Sequence, residues 1–307
     1  MTTTQDAAVT VSRESEALRD LYADWSDIMT STPGLTMRLF RSIFDEWHQP
    51  TAEPEDVTYG EETVGGVPGI WVLPIGADRT RLLLYTHGGG FAVGSASSHR
   101  KLAAHVAKAL GVTAFVPDYR RAPEHPHPAQ IEDGVSVFTA LLERGIAAED
   151  ITTIGDSAGG NLAVAIPLAL REQGQPLPGR VIAFSPWLDM ENAGETLVAN
   201  DATDALISRG LLEGMIAGVL GGRTNPDNPL ANPLYADFTG FPRLYVNAGG
   251  AESLLDNATR LAEKAQAAGA DVTLSIAPGQ QHVFPFLAGR APEADEEIAR
   301  IAEWYRA

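Results

Sequence analysis

The chain contains no cysteine. Disulfide bonds, thiolate metal sites and a cysteine nucleophile are therefore excluded. Basic residues are also in the minority, because 22 Lys and Arg stand against 40 Asp and Glu and the formal net charge is -18. A chain of this charge repels phosphate backbones and anionic lipid surfaces, so we expect neither a nucleic acid nor a membrane among its partners.

Long apolar runs are absent as well. No stretch approaches the roughly 20 residues of a membrane span. The N-terminal sequence MTTTQDAAVTVSRESEALRD has neither the basic leader nor the apolar centre of a signal peptide, so we expect a cytoplasmic protein. An apolar content of 44% over 307 residues is nevertheless ordinary for a soluble globular protein and is enough for a sizeable core.

The hydrophobic pattern divides the chain into four segments. In residues 1–50 apolar side chains recur every three or four positions, which predicts two amphipathic helices separated near Pro33. Residues 51–189 and 236–307 alternate apolar strand runs with helical patterns, which predicts an α/β fold with a mostly parallel central sheet and helices on both faces. Residues 190–235 break this alternation, and we expect them to form an insertion that lies over the sheet.

A serine stands between glycines at a predicted strand-to-helix junction. GDSAGGN (155–161) follows the strand run ITTIG, precedes the helical run LAVAI and fits the pattern G-x-S-x-G. A sharp turn brings the residues two before and two after the serine close together, so both must be small, and it holds the hydroxyl exposed. We interpret Ser157 as a nucleophile. The alternative is a helix N-cap serine with an incidental glycine.

A serine hydroxyl needs a base near neutral pH, and histidine is the usual one. Seven histidines are present, and His282 follows the last predicted strand, at the sheet edge where the serine turn is expected. The third group must be a carboxylate on another loop of that edge. RLYVNAGGAESLLDNA offers Glu252, just after a strand, and Asp256, within the next helix. We favour Glu252 and keep Asp256 as the alternative.

The run HGGG (87–90) ends another predicted strand. Glycines at this place let backbone N–H groups approach a bound group with no side chain in the way. We predict that Gly88 and Gly89, together with Ala158 after the serine, donate hydrogen bonds to the oxyanion that nucleophilic attack creates. A phosphate-binding role is disfavoured, because no lysine follows in P-loop spacing.

Five motifs occur in order along the chain: HGGGF (87–91), DYRRAPEHPHPA (118–129), GDSAGGNLA (155–163), SPWLDM (185–190) and GQQHVF (279–284). Together they resemble the motif set of the hormone-sensitive-lipase-like esterases, a branch of the α/β-hydrolases, whose catalytic residues follow the same order of serine, acid and histidine. The resemblance covers the chain from about residue 60 to its end. It implies a serine carboxylesterase for short to medium acyl esters, with a cap built from the N-terminal helices and the insertion. It also implies frequent homodimers.

Two positions depart from this resemblance. Most relatives carry the catalytic Asp in a D-P-L-x-D pattern, whereas the chain has Glu252 in E-S-L-L-D. Arg121 replaces an apolar residue in its loop. A glutamate can perform the role of the aspartate, so the Ser157, His282 and Glu252 triad remains the prediction.

Other functions fit parts of the same pattern. Similar capped esterases include lactone hydrolases of terpenoid breakdown, and such a lactone hydrolase with the same triad is one alternative. A non-catalytic ligand receptor is another, since the plant gibberellin receptors resemble this family but lack the base; His282 argues against it. Amidase or formamidase chemistry is a third. The histidines and carboxylates show no metal-ligand spacing such as H-E-x-x-H, so we expect no cofactor and no metal.

Overall fold

An eight-stranded sheet lies at the centre of the structure, which is a computed structural model and describes residues 10–307. Residues 1–9 of the first predicted segment lie outside the described residues. The strands in chain order are β1 (Val57–Val64), β2 (Val67–Pro74), β3 (Asp78–Thr86), β4 (Val112–Pro117), β5 (Ile151–Asp156), β6 (Arg180–Phe184), β7 (Arg243–Gly249) and β8 (Val272–Ala277). Their order across the sheet is β1-β2-β4-β3-β5-β6-β7-β8.

Most neighbouring strands run parallel. From β4 to β8 every adjacent pair is parallel, while β1 with β2 and β2 with β4 are antiparallel. Every residue of β4 and β5 is buried, because these central strands are covered on both faces. The predicted α/β fold with a mostly parallel central sheet is therefore confirmed.

The helices are α1 (Arg13–Ser31), α2 (Met37–Phe44), α3 (Ala96–Leu110), α4 (Ala129–Glu143), α5 (Ala158–Glu172), α6 (Thr196–Ala199), α7 (Arg209–Leu220), α8 (Leu255–Ala267) and α9 (Pro292–Arg306). Ser12 and Thr36 cap the first two helices, since each side chain accepts a hydrogen bond from a backbone N–H of the first turn. No helix within residues 10–307 has the length and apolar character needed to cross a membrane.

Strand β1 was not predicted from the sequence. Its segment VTYGEETV carries Gly60, Glu61 and Glu62, which interrupt any apolar alternation. The strand lies at the edge of the sheet and pairs with β2 over its full length, so most of its side chains contact solvent. Backbone pairing, which hydrophobic periodicity does not report, holds this strand in place.

Helices α1, α2 and α7 lie at the end of the sheet where the parallel strands finish, and we call them the helical cover. An aromatic cluster joins the cover to the core. The Trp25 ring lies 5.5 Å from Phe44 and 5.9 Å from Trp47, and Trp47 stacks on Phe286 at 5.5 Å. Aromatic pairs at such distances add about 0.5–1.5 kcal/mol each to the burial of their surface. The N-terminal helices are therefore packed parts of the fold.

Candidate active site

The serine turn has the strained backbone that its sequence predicts. Ser157 directly follows β5 and has φ +54°, a left-handed value that is uncommon for any residue except glycine. The flanking glycines permit this turn. A Cβ on Gly155 would lie 2.3 Å from the carbonyl oxygen of Gly159, and a Cβ on Gly159 would lie 1.9 Å from that of Thr86. Any larger side chain at either position would push the turn apart.

A buried histidine and a buried glutamate form a pair at the same sheet edge. His282 follows β8, Glu252 follows β7, and Nδ1 of His282 donates a hydrogen bond of 2.9 Å to Oε2 of Glu252. The other ring nitrogen, Nε2, is buried and has no hydrogen-bond partner within residues 10–307. Ser157 and His282 line one cavity. The fold therefore brings together the three predicted catalytic side chains, which are far apart in the sequence.

The electrostatics of this pair suit a base. Burial raises the pKa of Glu252, and the hydrogen bonds from His282 and Ser185 offset part of that rise. Burial lowers the pKa of His282, but the hydrogen bond to Glu252 and the negative charges of Glu252, Asp204 and Asp156 outweigh it, so the pKa of His282 is raised. The carboxylate therefore favours the protonated imidazole, the form that a catalytic base reaches during reaction.

Asp256 faces a different part of the structure. Its carboxylate accepts hydrogen bonds from the backbone N–H of Thr196 at 3.3 Å and from the side chain of Asn257 at 3.1 Å. A Cβ on Gly194 would lie 2.3 Å from one of its oxygens. Asp256 thus supports the start of α6 and the loop before it, while Glu252 contacts the histidine.

Three further residues support the pair, and none was singled out from the sequence. The Ser185 hydroxyl accepts a 3.0 Å hydrogen bond from the backbone N–H of Val283, and Asp204 accepts one of 2.6 Å from that of Ser253. The Tyr22 hydroxyl of α1 donates to the carbonyl of His282 at 3.1 Å. These contacts join segments more than 40 residues apart. A single sequence gives no local signal for them.

The glycine loop after β3 corrects one prediction. The N–H of Gly88 donates to Nε2 of His99 at 3.2 Å, so it does not face the serine as predicted. Gly89 and Gly90 line the cavity with Ser157 instead. Within residues 10–307 no hydrogen bond occupies the N–H groups of Gly89, Gly90 or Ala158. The donors available beside the serine are therefore Gly89, Gly90 and Ala158.

Buried polar side chains hold this loop from behind. Nε2 of His99 also lies 3.3 Å from Oδ2 of Asp156, and the Tyr85 hydroxyl donates to Oδ1 of Asp156 at 2.8 Å. The Tyr119 hydroxyl donates to the carbonyl of His87 at 2.6 Å. Arg121, the residue that departs from the family pattern, donates to the carbonyl of Gly94 at 2.7 Å. The loop is thus fixed by hydrogen bonds before any substrate binds.

The cavity over Ser157 is small. Its walls come from the glycine loop, from Trp187 and from the segments around the cover, including Phe44, Trp47 and Met215. The volume open to water molecules is about 20 Å³. That volume holds about one or two waters. The cover therefore leaves little free space above the serine.

Known proteins resemble the chain in sequence and in fold. A family described as having the alpha/beta hydrolase fold matches residues 83–286. An acetyl-hydrolase of Streptomyces hygroscopicus is 40% identical over 236 residues, which are 77% of this chain and 78% of that protein. An esterase of Acinetobacter venetianus is 37% identical over 228 residues, 74% and 75% of the two chains. A solved esterase of the bacterial hormone-sensitive lipase family superposes with a TM-score of 0.92 at 38% identity, over 97% of this chain and 99% of that one.

Proposed function

Because the chain belongs to the hormone-sensitive-lipase-like branch of the α/β-hydrolases and is a carboxylic ester hydrolase, we propose that it cleaves short to medium acyl esters through Ser157, His282 and Glu252. The observation that carries the proposal is the cavity that Ser157 shares with His282. His282 Nε2 is unpartnered within residues 10–307, and its other nitrogen is held by Glu252. This arrangement supports His282 as the base, with its free nitrogen available to Ser157.

Acylation begins with proton transfer. His282 Nε2 accepts the proton of the Ser157 hydroxyl as the serine oxygen attacks the carbonyl carbon of the ester. The carbonyl oxygen becomes an oxyanion, which the N–H groups of Gly89, Gly90 and Ala158 stabilise. Ala158 is the first residue of α5, so the positive end of that helix dipole adds to the stabilisation.

The second half of acylation and the deacylation use the same groups. The imidazolium of His282 donates its proton to the leaving alkoxide, and an alcohol departs from the acylated Ser157. Water then loses a proton to His282 as its oxygen attacks the acyl carbon, and His282 returns that proton to the serine oxygen as the acid is released. Glu252 stabilises the imidazolium in both halves.

Short acyl groups are supported by two facts. The similar Streptomyces protein is named an acetyl-hydrolase, and the cavity above the serine is nearly filled by neighbouring side chains.

We also propose that residues 1–50 and 190–235 act as the cap over a core of residues 51–189 and 236–307. Phe44 and Trp47 from the first cap segment, and Leu212 from the second, line the cavity.

The test is hydrolysis of p-nitrophenyl esters from acetate to dodecanoate, beside a bulky lactone, by the wild type and by Ser157→Ala. We expect the wild type to prefer acetate and butyrate, and the variant to lose at least about a thousandfold in kcat/KM. Circular dichroism of both proteins controls for folding. A variant that keeps most of its activity would reject Ser157 as nucleophile. A kcat/KM for the lactone above that for every p-nitrophenyl ester would indicate a cyclic ester as the substrate, cleaved by the same mechanism.

A further inference from the structure

Two cavities of different size meet at two side chains of the cover. The first is the cavity over Ser157, with about 20 Å³ open to water. The second is an outer groove between α2 and α7, with about 420 Å³. Leu211 and Met215 of α7 line both spaces. These two half-buried residues are therefore the partition between the catalytic cavity and the groove.

Met215 closes this partition by direct contact with the glycine loop. A Cβ placed on Gly90 would lie 1.9 Å from the Met215 sulfur and 2.8 Å from its terminal methyl carbon. The thioether thus lies against the open face of a residue that carries no side chain. Methionine has three rotatable bonds and no branch, so its end can be replaced or moved at small cost.

The outer groove is lined by apolar side chains and by bare helix backbone. Met37, Phe40, Ala92 and Pro123 line it from the side of α2 and the neighbouring loops. Its floor is α7, where a Cβ on Gly210 or Gly214 would meet no atom within 4 Å. The groove therefore offers an open apolar path that begins on the outer side of Met215.

The chemistry of the reaction decides which half of the ester points toward Met215. His282 must protonate the leaving oxygen, so the alcohol half lies beside His282 and the acyl half lies on the other side of the reacting carbon. The segment before α7 packs against the loop that carries His282, because the N–H of Ala205 donates to the side chain of Gln281 at 2.9 Å. Met215 instead contacts Gly90 in the glycine loop. We therefore assign the acyl chain to the side of the cavity that Gly90 and Met215 form.

We propose that Met215 sets the upper limit of acyl-chain length by separating the catalytic cavity from the outer groove, which receives the distal part of an aliphatic acyl chain once the partition is opened. This inference rests on the proposed esterase function and names the specificity-determining residue of its site. It assigns Met215 no part in the chemical steps.

The main test compares Met215→Ala with the wild type on p-nitrophenyl acetate, butyrate, octanoate and decanoate. We expect the ratio of kcat/KM for octanoate to kcat/KM for acetate to rise about tenfold or more. Met215→Val should give a smaller rise in the octanoate-to-acetate ratio, and it replaces the alanine variant in the test if that variant folds poorly. A series of acetate esters of longer alcohols should keep its wild-type chain-length profile, because the alcohol half lies elsewhere.

Two further variants separate the partition from a general loosening of α7. Ile216→Ala removes a similar side chain that packs on the core and lines neither space, and it should leave the octanoate ratio at the wild-type value. Gly214→Leu added to Met215→Ala fills the groove floor and should cancel the gain on octanoate.

Four results would overturn the inference. These are an unchanged octanoate-to-acetate ratio in a folded Met215→Ala variant, an equal rise in Ile216→Ala, a gain confined to the longer alcohols, or a gain that survives the added Gly214→Leu. Inactivity of the wild type toward every ester would reject the proposed function itself, and the inference with it.

Discussion

The catalytic edge of the sheet and the helical cover are held by different forces. At the edge, Ser157, Glu252 and His282 lie on the segments that follow β5, β7 and β8. They are buried and are fixed by hydrogen bonds with one another or with nearby backbone. The cover depends mainly on aromatic and aliphatic contacts, and α7 carries glycine at positions 210, 214, 218. The reacting groups are therefore held in fixed positions, while the surface that selects the substrate can be repacked.

Removing the charge of Glu252 should damage the fixed region most. We expect Glu252→Gln to lower kcat/KM on p-nitrophenyl acetate about a thousandfold or more, because the imidazolium loses its stabilising carboxylate. Asp256→Asn is the matched control. It should keep activity within about threefold, since that carboxylate contacts residues 194–196. The opposite ranking of the two rates would transfer the role of catalytic acid to Asp256.

The pH dependence of the same two proteins sharpens the assignment. Only neutral His282 can act as base, so kcat/KM falls as the pH drops through the pKa of His282. Because that pKa is raised, the wild type should lose activity at a higher pH than an ordinary histidine would dictate. In Glu252→Gln burial acts without the opposing carboxylate, so the midpoint of the acid limb should move to lower pH. An unmoved midpoint would contradict the assignment of the limb to this pair.

A smaller effect is expected at the main polar connection between α2 and the core. Arg41 donates to the backbone carbonyls of Ala92 at 2.9 Å and Ala122 at 3.1 Å, and its pairing with Glu124 lowers the pKa of that carboxyl to about 2. Arg41→Ala should lower the free energy of unfolding by about 1–2 kcal/mol and Tm by a few degrees. It should change kcat/KM for acetate by less than about fivefold.

Glu124→Gln is the control for this connection. It removes an exposed partner but keeps the two carbonyl contacts, so its change in Tm should be less than half of that in Arg41→Ala. Thermal unfolding followed by circular dichroism measures both variants. Equal losses would mean that the ion pair, and not the backbone contacts, holds α2 on the glycine loop.

The regular core could be predicted because its causes are local. The apolar run VTAFVP predicts a strand at residues 112–117, and β4 has those bounds, since a run buried on both faces can be recognised without knowledge of its partners. The chain order also placed Ser157, Glu252 and His282 on loops after parallel strands. The structure agrees with that placement, because parallel strands end at a common edge.

The rest depends on contacts between distant residues. Gly88 and Gly89 are identical residues in the sequence. Only the position of His99 on α3 shows that the N–H of Gly88 is occupied. The closeness of Met215 to Gly90 likewise follows from how α7 packs, and the run GLLEGMIAG predicts a helix without its partner. Hydrophobic periodicity reports which face of an element is buried, but it does not report what covers that face.

The left-handed backbone of Ser157 has a consequence for how far this protein can be stabilised. A residue held at such a dihedral costs the folded state about 1–3 kcal/mol, and the cost persists because the surrounding sheet and α5 enforce the turn. Glycine at this position would relieve the strain and remove the nucleophile in one step. Relief of this strain therefore removes activity, and substitutions that raise thermal resistance without loss of turnover must come from outside the turn.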